Sequence, residues 1–201
     1  YNSVCHNPSP SAHAWTIQLT DPVVQSYIVY SAILALKLLS VSSLTSLLRL
    51  TRGVFANPED AKGLGGKIKL DDPVVERSRR AHLNDLENIP AFWILGALYV
   101  TTGPAVAWAT LLFRIFTVGR IVHTIVYAIV PMPQPTRALA YLVPYLINWY
   151  MGFQIVLYIL PIFFIQCYSC LGNWCPTVNK FLLLNFIFIS LIPIFTYRHS
   201  S

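Results

Sequence analysis

Residues 74–89 read VVERSRRAHLNDLENI and continue into the apolar segment PAFWILGALYV at 90–100, with no turn signal except Pro90. The stretch predicts one long helix that is charged at one end and apolar at the other. Four polar side chains fall within about 80° of one another on this helix at 100° per residue: Glu76, Arg80, Asn84 and Glu87. Ionisable groups at membrane depth are costly and usually face a bundle interior or a watery cavity, so this face predicts a functional site. The alternative is a polar turn that only anchors the helix among lipid headgroups.

Composition predicts a membrane protein. The chain has 201 residues, of which 55% are hydrophobic and only 11% charged, whereas soluble domains carry about a quarter charged residues. We expect an N-terminal lead at 1–20 that is disordered and has no signal-peptide pattern, a membrane domain at 21–160, and a divergent apolar tail at 161–201.

The apolar runs predict an all-α integral membrane protein built as an up-down four-helix transmembrane bundle, with an extra C-terminal apolar helix left open. Each run has roughly the 20 residues that a hydrocarbon core requires. The predicted spans are about Val23–Leu48, Val74–Thr101, Ala105–Val130 and Thr136–Leu160. The turns TTGP at 101–104 and PMPQP at 131–135 separate the last three, because proline does not continue a helix.

The distribution of charge predicts the orientation. Eight of the fourteen Lys and Arg residues lie between Arg49 and Arg80, so the positive-inside rule places this loop in the cytosol. Seven of the eight acids lie between Glu59 and Glu87. This mixture beside a membrane argues against a nucleic-acid partner, and the loop is suited to contact anionic headgroups of the bilayer.

The other spans also carry polar groups near their cytosolic ends. These are Arg49 and Arg52 at the end of the first span, Arg120, His123, Thr124 and Tyr127 on one face of the third, and Arg137 and Tyr141 at the start of the fourth. One arginine there would suggest snorkelling, but contributions from every span predict a pocket for an anionic or zwitterionic ligand. Lys37 lies deep in the first span and either pairs with an acid from elsewhere or snorkels.

Three segments carry a resemblance to a known family. RLTRGVFANPED at 49–60, DDPVVERSRRAHLNDLENI at 71–89 and GRIVHTIVYAIVPMPQPTRAL at 119–139 resemble the MAPEG family, the membrane-associated proteins in eicosanoid and glutathione metabolism. The similarity is strongest to its microsomal glutathione S-transferase type-1 branch. It extends from about Arg49 to about Tyr158.

The resemblance implies a homotrimeric enzyme of the endoplasmic reticulum membrane, and often of the mitochondrial outer membrane, with several membrane passes. It implies glutathione S-transferase activity, in which the glutathione thiolate is conjugated to hydrophobic electrophiles, and glutathione peroxidase activity on lipid hydroperoxides. Glutathione is the co-substrate, no metal is implied, and glutathione binds between neighbouring subunits.

The family's functional positions also transfer by resemblance. The glutathione contacts fall on Arg49, Arg79, Arg80, His82, Glu87 and Tyr127, and further polar pocket positions fall on Asn84, Arg120, His123, Arg137 and Tyr141. We assign catalytic roles to Arg137, as the group at the sulfur, and to Asp60, which matches a position proposed as a proton relay in some relatives. A cationic site favours thiolate over thiol, which supplies the nucleophile.

Two departures from the family's pattern bear on the function: one argues against a prostaglandin-isomerase role and the other against activation by thiol modification, and two further functions stay open beside the transferase. Ala138 stands where the prostaglandin E synthase branch carries a serine, and Ala61 stands where some transferases carry a reactive cysteine. The alternatives are a glutathione-dependent prostaglandin E synthase-like isomerase and a non-catalytic lipid-binding scaffold.

The C-terminal tail lies beyond the resemblance. Phe181–Phe195 is apolar but short for a membrane span. Cys167, Cys170 and Cys175 do not have the spacing of a zinc site, and in a luminal tail they favour a disulfide.

Overall fold

A computed structural model describes residues 19–171 of the chain. These residues form five α-helices, two very short strands and one π-helical turn. The elements in chain order are α1 (Pro22–Arg52), β1 (Val54–Phe55), α2 (Pro58–Leu64), β2 (Lys67–Ile68), α3 (Pro73–Thr101), α4 (Val106–Thr124), the π-helical turn (Ile125–Ile129) and α5 (Thr136–Leu171). The predicted N-terminal lead up to residue 18, Cys175 and the segment Phe181–Phe195 lie outside the described residues.

The two helices that border the long loop begin with the same local signal. Asp21 caps α1 and Asp72 caps α3, each with its carboxylate accepting from a backbone N–H of the first turn. Pro22 and Pro73 follow these caps at the first helical position, where proline loses no hydrogen bond and already has a helical φ. Gly53 ends α1 in the left-handed region at φ 61°, a conformation that costs glycine little.

The loop between α1 and α3 is a small folded unit. β1 and β2 pair in parallel, with Val54 opposite Lys67 and Phe55 opposite Ile68, and α2 connects them. Arg52 Nε lies 3.0 and 3.1 Å from the two carboxylate oxygens of Asp72. This ion pair joins the end of α1 to the start of α3, so the loop leaves and re-enters the bundle at one place.

The long helices α1, α3, α4 and α5 pack side by side. α1 contacts α3 and α4, and α5 also contacts α3 and α4. Their shared core is aromatic: the Phe92 ring of α3 stacks on the Phe116 ring of α4 at 4.2 Å between centroids, and Phe113 meets Phe92 edge to face at 5.7 Å. All three side chains are fully buried.

Three of the four predicted spans are helices long and apolar enough to cross a membrane: Pro22–Arg52, Val106–Ile129 and Thr136–Ile165. α3, the predicted second span, does not meet that criterion. It runs unbroken for 29 residues through Pro90, but its apolar part after Asn88 covers only about 20 Å of rise of a hydrocarbon core about 30 Å thick. α5 continues to Leu171, past the domain boundary predicted at residue 160.

Candidate functional site

An open cleft of about 640 Å³ lies where α3, the end of α4, the π-helical turn and the start of α5 meet. Seven of its ten lining residues are predicted site residues. The lining residues are Arg80, Leu83, Asn84, Glu87, His123, Tyr127, Gln134, Arg137, Ala138 and Tyr141. Polar residues from α3, from the end of α4 with its π-helical turn, and from the start of α5 therefore come together in one cleft.

α3 supplies the cleft with Arg80, Asn84 and Glu87, which recur every three or four residues and so share one face. The neighbouring stripe of Ala81, Asp85 and Asn88 is buried against the other helices. The helix thus has one face in the bundle and an adjacent face at the cleft, which explains why a charged helix packs stably here.

The opposite wall of the cleft is aromatic. The His123 ring stacks on Tyr127 at 5.5 Å between centroids and lies 6.4 Å from Tyr141. The Arg137 guanidinium carbon sits 5.7 Å from the centroid of Tyr127, within the range of a cation–π interaction. Tyr127 belongs to the π-helical turn, a local widening that sequence reasoning did not predict and that is frequent at functional sites.

Three charged residues of the cleft have no ion-pair partner among the described residues. Across residues 19–165 the ion pairs are Lys37–Asp85, Arg52–Asp72, Arg79–Glu76 and Arg120–Asp85. None of them uses Arg80, Glu87 or Arg137. Arg137 Nε and His123 Nδ1 are moreover buried with no hydrogen-bond partner among the described residues. Buried polar atoms are normally satisfied, so these atoms indicate a place for a polar ligand.

A buried ionic cluster lies directly beneath the cleft. Asp85 is fully buried and pairs with Lys37 of α1 and with Arg120 of α4. Arg120 Nε donates to Asp85 Oδ1 at 3.1 Å, and Arg120 Nη2 donates to the cleft residue Asn84 at 2.8 Å. The side chain of Arg120 is also fully buried. Of the two sequence-based alternatives for Lys37, the structure shows pairing with an acid.

Asp85 was missed by the sequence analysis. The sequence feature that could have pointed to Asp85 was Lys37, because a lysine deep in an apolar span is usually paired with an acid. Asp85 is the acid in the middle of the charged half of α3, but it lies off the face that carries Arg80 and Asn84, and helical periodicity singles out only that face.

Five predicted site residues do not line the cleft. Arg120 lies beneath it, and Asp60 is exposed on α2, where it accepts from Asn57 at 3.3 Å. Arg79 is exposed and pairs with Glu76 at 3.5 Å. Arg49 and His82 are half-buried, and each has a buried nitrogen without a partner among the described residues.

These features define a helical membrane protein with a polar, arginine-bearing cleft at one end of its packed helices. Within residues 19–171, no cluster of three or more His, Cys, Asp or Glu residues is placed to hold a metal ion. The MAPEG family model matches residues 27–157, and the chain belongs to the MAPEG family.

Three relatives each match about two thirds of this chain. Microsomal glutathione S-transferase 1 of Rattus norvegicus is 45% identical over 145 residues, which are 69% of this chain and 93% of the relative. The Homo sapiens protein of that name is 43% identical over 143 residues, with 69% of this chain and 92% of the relative covered. Prostaglandin E synthase of Bos taurus is 42% identical over 139 residues, 69% of this chain and 90% of the relative.

Proposed function

We propose that this protein is a membrane glutathione transferase that conjugates the glutathione thiolate to hydrophobic electrophiles and also reduces lipid hydroperoxides with glutathione. The observation that carries the proposal is a set of three charged cleft residues that form no ion pair within the described part of the chain: Arg80, Arg137 and Glu87. Glutathione has carboxylates, one ammonium and, after loss of the thiol proton, an anionic sulfur, so the two cations and one acid of the cleft complement its charges in sign.

The chemistry of each cleft residue follows from its charge. Arg80 presents a guanidinium that can bind a carboxylate through two parallel hydrogen bonds, and Glu87 suits the ammonium. Arg137, held over the Tyr127 ring, is our candidate for the group at the sulfur. A guanidinium there favours the thiolate, whose lone pair forms the bond to the electrophilic carbon while the leaving group departs with its electrons and the thiol proton passes to solvent at the open cleft.

The hydrophobic substrate is expected to arrive from the bilayer. Leu83 lines the cleft and is 47% exposed. An apolar rim open to lipid accepts many shapes, because apolar contacts discriminate weakly between substrates. This supports a transferase with a broad range of hydrophobic electrophiles.

The relatives named prostaglandin E synthase make a prostaglandin isomerase the second candidate. Ala138 lines the cleft beside Arg137 and has no hydroxyl. The prostaglandin E synthase branch, which this chain also resembles, carries a serine at that position. The transferase is therefore favoured over the isomerase. A non-catalytic lipid-binding scaffold is disfavoured, because a lipid binder has no need of arginines and an acid left unpaired in a cleft.

We further propose that the protein is a homotrimer in the endoplasmic reticulum membrane, and often in the mitochondrial outer membrane, with α1, α3, α4 and α5 as an up-down bundle of four spans. α3 can cross despite its charges because Asp85 is buried and paired within the bundle. Arg49, Arg79 and His82 lie outside the cleft of their own subunit, so a neighbouring subunit is the natural source of these glutathione contacts.

The test is calorimetric titration of glutathione into the detergent-purified protein. We expect binding in the parent and a loss of about 1.5–3 kcal/mol in Arg80→Ala and in Glu87→Ala, because each removes a charged hydrogen-bond partner. The matched control is Arg114→Ala, which removes the same charge from α4 at a site where the arginine donates to Tyr30 at 3.1 Å. Absence of glutathione heat in a folded parent would refute the transferase.

A further inference from the structure

We infer that Asp85 is a positioning residue, which locks Arg120 in place so that Arg120 holds the Asn84 carbonyl oxygen and turns the Asn84 amide N–H groups toward the cleft. The inference rests on the proposed glutathione site and concerns how one wall of that site is oriented. Asp85 was not among the predicted site residues. Arg120 was predicted as a residue of the pocket and not as a support for Asn84.

The first step is the fixing of Arg120. Asp85 accepts from both Nε and Nη2 of Arg120, so the planar guanidinium is held along one edge. Lys37 donates to the other carboxylate oxygen of Asp85, and the Thr124 hydroxyl lies 3.4 Å from that same oxygen. Because both side chains of the Asp85–Arg120 pair are fully buried, a ligand in the cleft is not expected to compete for this edge of Arg120.

The second step is the orientation of Asn84. A guanidinium has only donors, so the atom of Asn84 that lies 2.8 Å from Arg120 Nη2 must be the carbonyl oxygen. The amide nitrogen is then on the other branch of the planar group and points away from Arg120. Asn84 therefore presents donors to the cleft, which suits an oxygen or sulfur acceptor of glutathione and not its ammonium.

A purely electrostatic role for the cluster predicts the opposite sign of effect. Lys37, Asp85 and Arg120 together carry one excess positive charge beneath the cleft. Neutralising Asp85 increases that charge, so electrostatics alone would strengthen the binding of anionic glutathione. If Asp85 acts by positioning, the same change weakens binding, because Arg120 and Asn84 are no longer held.

A double-mutant cycle measured by glutathione titration tests the inference. Asp85→Asn and Asn84→Ala should each weaken glutathione binding by about tenfold, and the double variant should be no weaker than Asn84→Ala alone, because Asp85 acts through Asn84. Additive losses near a hundredfold, or tighter binding by Asp85→Asn, would overturn the inference. Ser78→Ala is the control for lost buried polarity on α3, since it removes only the hydrogen bond to Thr45 at 2.8 Å, and its affinity should match that of the parent.

Arg120→Lys keeps the test decisive if Asp85→Asn does not fold. Lysine retains the charge opposite Asp85 but does not provide a planar fork that holds two partners at once. Its glutathione affinity should fall to the level of Asn84→Ala, with no further loss when the two changes are combined, and parent-like affinity would overturn the inference. A folded parent that does not bind glutathione would refute the proposed function itself, whereas a binding parent with an additive cycle refutes only the positioning role.

Discussion

The carboxylate of Asp72 accepts hydrogen bonds from the backbone N–H groups of Val74 and Val75, at 3.1 and 3.2 Å, and pairs with Arg52. Burial raises the pKa of Asp72, but the N–H donors of Val75 and Val74 and the Arg52 guanidinium outweigh that effect. The pKa of Asp72 is consequently held below its ordinary value of 3.8. One side chain thus caps α3 and closes the loop back onto α1, and both interactions depend on its charge.

This arrangement predicts a pH-dependent contribution of Asp72 to stability. Because its folded-state pKa is depressed, the contribution is fully present above the ordinary value of 3.8 and is lost as the pH falls through the lower folded-state pKa. Asp72→Asn retains a capping oxygen but not the titratable charge. We expect the parent to unfold at a higher temperature than Asp72→Asn at pH 6, and the two midpoints to converge as the pH falls below 3.8.

Circular dichroism of the detergent-solubilised proteins between pH 2 and 6 measures both midpoints. Titration of the other carboxylates affects parent and variant alike, so the difference between them isolates Asp72. A difference that stays constant over this range would show that the charge of Asp72 does not contribute.

At the scale of the elements, Gly96 sets how closely α1 approaches α3. A Cβ at Gly96 would lie 2.8 Å from Cε2 and 3.1 Å from Cδ2 of Tyr27. The Tyr27 ring has little freedom to move away, because its hydroxyl donates to the Trp93 carbonyl at 2.6 Å and the ring meets Phe113 edge to face. A glycine in the middle of a helix, normally unfavourable, is thus explained by packing.

We therefore predict that Gly96→Ala lowers the free energy of unfolding by about 1–3 kcal/mol, as overpacked core positions do. Gly152→Ala on α5 is the matched control, because its Cβ would meet only Leu95 at an ordinary 3.7 Å. There the better helix propensity of alanine should leave stability unchanged or raise it by up to about 1 kcal/mol. Chemical denaturation in mixed micelles compares the two, and equal effects would mean that α1 and α3 are not held as closely as described.

For the molecule as a whole, some of the predicted glutathione contacts are not among the residues that line the cleft. Arg80 and Glu87 line the cleft, whereas Arg49 does not. If the proposed trimer forms complete sites between neighbours, a defect on one surface can be compensated by an intact surface next to it.

Mixed trimers test this arrangement. Co-expression of Arg80→Ala with Arg49→Ala should restore glutathione transfer to about a quarter of the sites by random assortment, because each site then has one chance in four of pairing two intact surfaces. Either variant expressed alone should have little activity. Mixed trimers no more active than the variants alone would place both arginines in the same subunit's site or outside it.

The positions of the long helices and most of the polar residues that line the cleft follow from the local sequence. The spans predicted to begin near Val23 and Val74 correspond to α1 and α3, which begin one residue earlier at Pro22 and Pro73. The spacing of Arg80, Asn84 and Glu87 placed them on one face, because a helix fixes the angular position of its side chains independently of what surrounds it. The motifs also identified the family correctly, because three long motifs in the same order rarely match by chance.

Which of the described polar residues form ion pairs and which line the cleft depends instead on how the helices pack. Lys37 and Arg120 meet Asp85 across 48 and 35 residues of sequence, and helix periodicity does not specify which face of one helix meets which face of another. Arg120 and His123 share a face of α4, yet Arg120 forms a buried ion pair with Asp85 while His123 lines the cleft. The physical reason is that burial and ion pairing depend on the depth at which neighbouring helices cross, which is a property of packing and not of the local sequence.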